Sequence, residues 1–452
     1  MNGKTLIEYL KTIEAAKQLS DLYGSDGLET ARLRYISLIE GLIDNSPAGF
    51  QRQGFPETAG DLRLFSVPGR SELGGNHTDH NHGKVLAASI NLDAAAVAAP
   101  RQDNIVFFRS TGHKDVRVDL SDLSVREDEK GNTEALIRGI AAEFFAQDSP
   151  VGGFTANGSN LVLSGSGLSS SAAVEILFAK IFDNLYCGGK RSALELAKIG
   201  QKAENVYFGK PCGLMDQTAC ASGGAVAIDF ADVLNPHVKR IDFDPEAAGF
   251  ALCVVATGGN HADLVPEYAA IPNEMKAVAA FFSKPVLREV DEDTFMSRLW
   301  DVRKIAGDRA ALRAIHFFNE NCRVDAMLSS LEKMNIPTAR QEGMKSFFSL
   351  VNESGDSSWQ FLQNIYPPNN PGEQGLSLAL ALTKNFFRMT TGTCCNNLQG
   401  ACRVHGGGFA GTIQAYISLD RLDDYRKLIE NFFGEDSLTV IKVRNTGATE
   451  IF

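Results

Sequence analysis

The stretch LVLSGSGLSSSAAVEILFAKIF, residues 161–182, constrains the fold of this chain more than any other segment. Apolar residues at 160–163 predict a strand, and the Gly-Ser run after them predicts a loop. The next apolar residues recur at helical spacing on one face: Val174, Leu177, Phe178, Ile181 and Leu185. Small residues let backbone N–H groups close around phosphate oxygens at the positive end of the helix. The stretch therefore predicts an anion-binding loop between a strand and a helix.

Better-known glycine-rich loops do not fit this stretch. The chain contains no GxxxxGK[ST] sequence, and GSGLSS lacks the third glycine of the dinucleotide-binding fingerprint. The HRD and DFG sequences of protein kinases are also missing. A serine-rich turn that only caps the helix remains an alternative, because serine is a favoured N-cap residue.

The length and charge of the chain narrow its architecture and its partners. A chain of 452 residues is too long for one ordinary core, so two lobes are expected. The net charge of −11 argues against nucleic acid and membrane surfaces as partners, since both attract basic proteins. The polar stretch 231–249 is the best candidate for the crossing between halves. We place the boundary near residue 235, which divides the chain into 1–235 and 236–452.

The chain shows the features of a cytoplasmic protein. Its N-terminal residues 1–24 predict an amphipathic helix without the apolar core of a signal peptide. No segment reaches the ~18 uninterrupted apolar residues of a membrane-spanning helix. The eight cysteines include the adjacent Cys394 and Cys395 but no CxxC, so neither a disulfide framework nor a zinc ribbon is predicted.

Strand and helix patterns alternate irregularly along the chain, which favours an α+β fold over a doubly wound parallel sheet. Further strands are predicted at 62–67, 85–98, 223–230, 250–257, 410–419 and 437–444. Helices are predicted at 134–147, 171–186, 192–208, 273–283, 293–318, 322–334, 375–388 and 421–433.

The stretch GGNHTDHNHGK, residues 74–84, places three of the eight histidines of the chain beside one aspartate within six positions. We expect a tight loop between a strand ending at Val67 and one starting at Val85. Its possible metal ligands are His77, Asp79, His80 and His82, although nearly contiguous ligands rarely converge on one ion. A solvent-facing polar turn is a second interpretation. A third is a sugar site, because the loop offers many donors and acceptors and Arg70 upstream suits a phosphate.

Two carboxylates stand out in the middle of the chain, within residues 199–230. Glu204 is predicted on the exposed side of a helix, where a lone glutamate is usually a solvated charge. Asp216 is predicted in a loop, and its neighbours Leu214 and Met215 suggest partial burial. A buried carboxylate without a partner is costly, so Asp216 is expected to meet a cation, a ligand hydroxyl or a metal.

Several of these stretches, in the same order, resemble the galactokinase branch of the GHMP small-molecule kinases. VPGRSELGGNHTDHNHG is similar to the sugar-binding PGRxNxIGEHTDYNxG, and SGSGLSSSAAVEI is similar to the phosphate loop PxGxGLSSSAA. CGLMDQTA resembles the catalytic GIMDQ segment, and CRVHGGGFAGT (402–412) resembles the third, Gly-rich motif. GGNHADLVPEYAAIPNE (258–274) is more weakly similar to the segment with a sugar-contacting tyrosine.

The resemblance implies a role for each matching residue. It implies that Asp216 faces the anomeric hydroxyl and that Arg70 stabilises charge on the transferring phosphoryl group. It implies a magnesium ion held by Ser171 and Glu204. The residues implied to bind ATP are Gly165, Ser166, Gly167, Leu168, Ser169, Ser170 and Ser171. The residues implied to bind the sugar are Asn76, His77, Thr78, Asp79 and Tyr268.

The resemblance also implies the architecture. The expected fold is α+β with two lobes: an N-terminal lobe like ribosomal protein S5 with the phosphate loop, and a C-terminal ferredoxin-like α/β sandwich. The active site is expected in the cleft between the lobes, and the third motif is expected to return to that cleft.

The chain departs from the family pattern at several positions. Asn76 stands at the family's glutamate, which the resemblance places near the sugar C6 hydroxyl; an amide there removes repulsion toward a C6 carboxylate. The other departures are His80 for tyrosine, His82 for glycine, Ser164 for proline, Ile271-Pro272 for paired arginines, His405 for threonine and Ala410 for glycine.

Three functions follow as hypotheses. The leading one is an ATP- and Mg²⁺-dependent sugar 1-kinase, a galactokinase, acting as a monomer on a small-molecule sugar. The second is a kinase for a C6-altered galactose such as galacturonate. The third is a non-catalytic galactokinase-like sugar sensor.

Overall fold

The computed structural model describes residues 1–44, 62–163, 165–259, 264–391 and 400–452. Ser164, Cys394 and Cys395 lie outside the described residues. The strands are β1 Arg63–Gly74, β2 Lys84–Pro100, β3 Ile105–Ser110, β4 Val116–Asp119, β5 Phe154–Asn160, β6 Ala225–Asp229, β7 His237–Ile241, β8 Phe250–Ala256, β9 Gly400–His405, β10 Thr412–Ser418, β11 Leu438–Ile441 and β12 Thr449–Glu450.

The helices lie on both sides of two sheets. They are α1 Gly3–Leu10, α2 Ile13–Asp44, α3 Thr133–Ala146, α4 Ser170–Tyr186, α5 Ala193–Lys202, α6 Met215–Ser222, α7 Val265–Phe281, α8 Glu292–Ser297, α9 Leu299–Ala306, α10 Asp308–Met334, α11 Arg340–Ser357, α12 Gly375–Thr391 and α13 Leu422–Phe433. A π-helical turn, Ala203–Phe208, continues α5. None of the described helices is both long enough and apolar enough to cross a membrane.

The first sheet is organised around the long strand β2. The main path of the sheet is β12-β1-β2-β5-β3-β4. Because β2 has 17 residues, one edge accommodates two partners, β5 against 94–100 and β6 against 84–88, and β7 follows β6. Only β3 and β5 pair in parallel among the described strands. The C-terminal strand β12 returns to this sheet beside β1.

Alternating residues of β1 and β2 enter different cores, which explains their nearly continuous apolar sequence. One face packs against α1 and α2 through Leu64, Ala95 and Val97. The other face packs against α3 and α4 through Phe65, Ala94 and Ala96. The predicted apolar stripe of α4 is confirmed at its centre, where Leu177, Phe178 and Ile181 are buried.

The second sheet has the order β11-β8-β10-β9 and is antiparallel throughout. Alternate β8 residues again face different layers. Leu252 and Val254 belong to the core that includes Phe347 and Phe348 of α11, whereas Cys253 packs with residues of α12 and α13. Two sheets with helices on their faces confirm the predicted two-lobed α+β class. The boundary near residue 235 stays a prediction; it falls between β6 and β7, which both belong to the first sheet.

Two strand predictions near the motifs were wrong in their bounds. Strand β1 does not end at Val67 but continues to Gly74, with register shifts at Pro68/Arg70 and Glu72/Gly74. The predicted loop is therefore shorter, and Arg70 lies within a strand. The strand predicted at 160–163 is instead β5, which pairs through the polar sequence before it. Leu161 and Leu163 are apolar but 45% and 43% exposed, since they lead into the phosphate loop.

The helix predictions were wrong mainly at interruptions. The helix predicted at 293–318 is broken at Gly307, whose φ of 93° favours glycine, and α10 then continues without a break to Met334. The helix α11 was not predicted at all. The N-terminal helix was predicted correctly in kind, although α2 bends at Gly24 (φ 76°).

Candidate active site

Arg70 and the phosphate loop are joined through the backbone of β1. The Arg70 N–H donates to the Leu168 carbonyl at 3.0 Å. A side chain at Gly69 would lie 2.8 Å from the same carbonyl, so only glycine allows this approach. The Arg70 side chain also donates through Nη1 to the Gly167 carbonyl. The register shift at Pro68/Arg70 within β1 thus places Arg70 against the loop.

Arg70 and Asp216 form a partly buried ion pair, although 146 residues separate them in sequence. Arg70 Nε and Nη2 lie 2.8 and 2.7 Å from Asp216 Oδ1. Ser169 donates to Oδ2 of the same carboxylate. The Asp216 side chain keeps 34% of its surface exposed, so it remains open to a ligand.

The surroundings of Asp216 keep its carboxylate ionised. Burial raises the pKa of Asp216, but the charge of Arg70 and hydrogen bonds from Ser169 and Arg70 lower that pKa below its ordinary value. The prediction that Asp216 meets a cation is confirmed. Its predicted loop position was wrong, because Asp216 lies in the first turn of α6.

The phosphate loop has the left-handed backbone that its glycines predict. Gly165 and Gly167 have φ of 72°, and Ser169 adopts φ 59°. Helix α4 begins at Ser170, so its free N–H groups point toward the loop. Ser171, in the first turn of α4, is exposed.

The third motif lies against this loop. A side chain on Gly167 would meet Gly406 Cα at 3.5 Å. Thr412 Oγ1 donates to the Ser166 carbonyl at 2.7 Å, and His405 Nδ1 lies 3.2 Å from the same oxygen. The third motif, which was expected to return to the cleft between the lobes, therefore lies directly against the phosphate loop.

His405 takes a defined tautomer in this contact. Because Nδ1 faces a carbonyl, it carries the proton, and Nε2 accepts from the Ser71 hydroxyl at 3.0 Å. Burial, together with the charges of Arg70 and Arg403, lowers the pKa of His405 to about 3. The residue is neutral and structural at physiological pH.

Glu204 is buried in the π-helical turn after α5, with 3% of its surface exposed, so its predicted exposed position was wrong. Its Oε2 accepts from Gln217 Nε2 at 2.9 Å, and its Oε1 lies 3.1 Å from Lys210 Nζ. Gln217 also donates to Glu175 Oε2 at 2.9 Å. Burial and the charge of Glu204 raise the pKa of Glu175 well above its ordinary value.

The arrangement around Glu204 suits a magnesium ion bound to a nucleotide. Its Oε1 already faces a cation, the Lys210 ammonium, and Mg²⁺ prefers hard oxygen ligands and takes few of them from proteins. Among the described residues, no group of three or more His, Cys, Asp or Glu side chains is arranged to hold a metal.

His77 and Asp79 are partly exposed in the predicted sugar loop, as are His80 and His82. Asp79 Oδ2 lies so close to the CGLMDQ segment that a side chain on Gly213 would come within 2.0 Å of it. His77 Nε2 lies 2.9 Å from the Gly407 carbonyl, and burial lowers the pKa of His77 to about 4. The loop thus contacts both the Asp216 segment and the third motif.

Asn76 and Thr78 are buried beneath the same loop. Asn76 is 1% exposed; its amide donates to Gly406 at 2.8 Å and accepts from Asn364 at 2.9 Å. Thr78 is 0% exposed and donates to the Lys84 carbonyl at 2.7 Å. Both side chains hold the loop in place in this structure.

Tyr268 also lies at the third motif. Its hydroxyl donates to the Gly408 carbonyl at 3.1 Å, and its ring packs edge-on against Phe409 at 5.5 Å. A side chain on Gly407 would meet the Tyr268 ring at 2.4 Å. Burial raises the pKa of Tyr268 to about 12, so the hydroxyl stays protonated.

Sequence reasoning missed several side chains that support the site. Glu320 of α10 accepts from the Gly75 N–H at 3.0 Å, which fixes the start of the sugar loop. Arg403 of β9 pairs with Glu72 of β1 inside the protein. Gln217 directly follows Asp216, and that adjacency was the one signal that could have identified it.

Comparisons with known proteins agree with this geometry. The sequence pattern described as GHMP kinases N terminal domain matches residues 135–224. The pattern described as galactokinase galactose-binding signature matches residues 52–100. The galactokinase of Streptomyces coelicolor is 29% identical over 389 residues, which cover 84% of this chain and 91% of that protein. The galactokinase of Clostridium tetani is 28% identical over 383 residues, covering 83% and 89%.

Solved structures show the same fold. Lactococcus lactis galactokinase complexed with galactose superposes with a TM-score of 0.70 at 22% identity, covering 86% of this chain and 95% of that one. Methanococcus jannaschii mevalonate kinase gives a TM-score of 0.57 at 14% identity, covering 85% and 99%. The chain therefore combines a GHMP kinases N terminal domain with a galactokinase galactose-binding signature, and it is similar to galactokinases over more than four-fifths of its length.

Proposed function

We propose that this chain is an ATP- and magnesium-dependent sugar 1-kinase that converts galactose and ATP to galactose 1-phosphate and ADP. The observation that carries the proposal is the Arg70–Asp216 pair at the phosphate loop, with Nε to Oδ1 at 2.8 Å. Similarity to galactokinases over more than four-fifths of the chain supports galactose as the acceptor.

Asp216 and Arg70 each have a chemical role in this reaction. An ionised Asp216 accepts or orients the proton of the anomeric hydroxyl, whose oxygen bonds to the γ-phosphorus as the bond to ADP breaks. Arg70, between Asp216 and the Gly167 carbonyl, offsets negative charge on the transferring group. Glu204 and Ser171 would hold the magnesium ion, which neutralises charge on the phosphate oxygens when bound.

The binding residues follow from the loops around this pair. The ATP phosphates are bound by the backbone and hydroxyls of the phosphate loop, residues 165–171. Asp79 and His77 bind sugar hydroxyls, and Tyr268 closes that side of the site. Asn76 and Thr78 act from beneath the loop, since both are at most 1% exposed.

A kinase for a C6-altered galactose is the second candidate. A specific observation favours it: the buried Asn76 amide is hydrogen-bonded to Glu72 Oε1 at 3.1 Å, while Glu72 pairs with Arg403. The acidic charge of this region is therefore on Glu72, buried against an arginine, and not at position 76. Repulsion toward a C6 carboxylate is reduced accordingly.

A panel of sugars decides between these functions. ADP release is measured with galactose, galacturonate, N-acetylgalactosamine, fucose and arabinose. Turnover highest with galactose supports galactokinase, and turnover highest with galacturonate supports the second candidate. Binding of galactose and ATP without ADP release would leave only a non-catalytic sensor.

The proposal also covers the oligomeric state of the protein and its cellular compartment. We propose a monomer that acts in the cytoplasm, where ATP is abundant. The six cysteines in the described part of the chain are all free, as a reducing compartment requires. Light scattering of the purified protein checks the monomer, and fractionation checks the compartment.

A further inference from the structure

Lys210 is held over Glu204 by the local backbone. The chain turns back after the π-helical turn at Gly209, whose φ is 83°. The N–H groups of Gly209 and Lys210 both donate to the Glu204 carbonyl, at 3.0 and 3.1 Å. This turn brings the backbone of Lys210 back beside Glu204, so the Lys210 side chain can reach the Glu204 carboxylate.

The pair is unequal in burial. The Lys210 side chain is 61% exposed, whereas the Glu204 side chain is 4% exposed. Glu204 cannot leave its position, because Gln217 holds its Oε2 at 2.9 Å. Lys210 can move, since its long stem lies in solvent. Only one partner of this ion pair is therefore mobile.

Lys210 occupies the Glu204 oxygen that a metal ion would need. With Oε2 taken by Gln217, the remaining oxygen is Oε1, which lies 3.1 Å from Lys210 Nζ. A divalent ion that binds Oε1 must displace the ammonium. In this structure Lys210 also lies close enough to Asp216 for its charge to lower the pKa of that carboxyl group.

The other cation of the site is already engaged. Arg70 donates to Asp216 and to the Gly167 carbonyl, and its side chain is 7% exposed. A triphosphate brings more negative charge than one such arginine can offset. Lys210 is the exposed cation at the metal carboxylate that is able to move toward that charge.

We propose that Lys210 is an exchangeable counter-ion: it pairs with Glu204 in the free protein and contacts the triphosphate once magnesium binds Glu204. This inference rests on the proposed function and adds a phosphate-contacting residue to it. The competing explanation is a solvated ion pair without a role, which contributes little in either state.

The test compares two binding measurements that the proposal moves in opposite directions. Lys210→Met removes the ammonium, Lys210→Arg keeps a cation, and Lys202→Met is the matched control. Lys202 is also exposed (55%) and pairs with a buried glutamate, Glu143, at 2.8 Å. Manganese binding without nucleotide is followed by electron paramagnetic resonance, and binding of magnesium with a non-hydrolysable ATP analogue is followed by calorimetry.

The expected changes have opposite signs. Lys210→Met binds manganese alone about two- to fivefold more tightly, because Glu204 is uncovered. The same variant binds the magnesium–nucleotide analogue roughly tenfold more weakly, because a charged hydrogen bond to phosphate is lost. Lys210→Arg and Lys202→Met stay within about twofold of the unaltered protein in both measurements.

Either half of the result can overturn the proposal. Equal manganese affinity in Lys210→Met and the unaltered protein, or none detectable in either, removes the counter-ion role. Unchanged analogue affinity removes the phosphate contact. An unfolding temperature equal to that of the unaltered protein confirms that the variant is folded. Neither measurement needs turnover, so absence of ADP release in the sugar panel would defeat the proposed function separately.

Discussion

Arg70 binds Asp216 through a single carboxylate oxygen, with Nε at 2.8 Å and Nη2 at 2.7 Å from Oδ1. Ser169 of the phosphate loop donates to the other oxygen. Three segments, β1, the loop before α4 and the first turn of α6, therefore fix one carboxylate. The orientation of Asp216 depends on the phosphate loop being correctly folded, which links the acceptor side of the site to the nucleotide side.

Asp216→Asn is expected to lower the rate of phosphoryl transfer by roughly 10²- to 10⁴-fold. The amide keeps the shape of the side chain but neither accepts a proton nor pairs with Arg70. Sugar binding, measured by calorimetry, is expected to persist because Asp79 and His77 are untouched. Asp229→Asn is the control, since Asp229 is partly exposed and pairs with Arg288 at 2.9 Å outside the site. Near-full turnover by Asp216→Asn would remove this residue from the chemistry.

Gly213→Ala is expected to weaken sugar binding by roughly tenfold or more. The new methyl group would lie 2.0 Å from Asp79 Oδ2, so the carboxylate must move away from its position. The KM for the sugar rises, whereas the KM for ATP changes little. Gly372→Ala is the control, because its methyl group would meet only Asn370 Oδ1, at an ordinary 3.6 Å. An unchanged KM for sugar would show that Asp79 does not contact it.

The sequence predicted the parts of this site that local patterns encode. The Gly-Ser loop before α4 could be predicted because glycine spacing and helix periodicity occur within one short segment. The Arg70–Asp216 contact was expected only from the resemblance, since 146 residues separate the two. Only the structure shows which strand and helix carry these two residues and how far apart their atoms lie.

The features of the site that the sequence did not predict depend on long-range packing. Glu204 was placed on an exposed helix face because α-helical periodicity was continued through residues that form a π-helical turn. The burial of Asn76 depends on Asn364, which is 288 residues away. No local pattern encodes such a contact, because α10 and α11 must first pack against β1.

Glu320→Gln is expected to destabilise the protein at neutral pH by about 3 kcal/mol, because it leaves the largely buried Arg323 facing a neutral group. Burial raises the pKa of Glu320, but the charges of His316, Arg323 and Arg403 lower it to about 2. A carboxyl group whose pKa is lowered on folding stabilises the fold at pH values above its ordinary pKa of 4.5. That stabilisation is lost as the pH falls toward about 2.

The pH dependence distinguishes Glu320 from a surface glutamate. The difference in unfolding temperature between the unaltered protein and Glu320→Gln is expected to be largest near neutral pH and to shrink in acid. Glu353→Gln is the control, since Glu353 is 56% exposed and lies 4.0 Å from the same Arg323. A difference that does not change between pH 7 and pH 3 would mean that folding does not lower the pKa of Glu320.

Gln217→Met is expected to raise the magnesium concentration for half-maximal activity by roughly tenfold, with the KM for sugar unchanged within about twofold. The Gln217 amide donates to Glu204 and Glu175 at 2.9 Å each, and both carboxylates are buried. Methionine fills the same space but cannot donate, so Glu204 loses the contact that orients it. Gln201→Met is the matched control, because Gln201 donates only a long 3.4 Å bond to the Cys212 carbonyl. Manganese binding, measured by electron paramagnetic resonance, gives a readout that is independent of turnover. If Gln217→Met and Gln201→Met require the same magnesium concentration, Gln217 does not orient the metal carboxylate, and its two hydrogen bonds serve only the stability of the core.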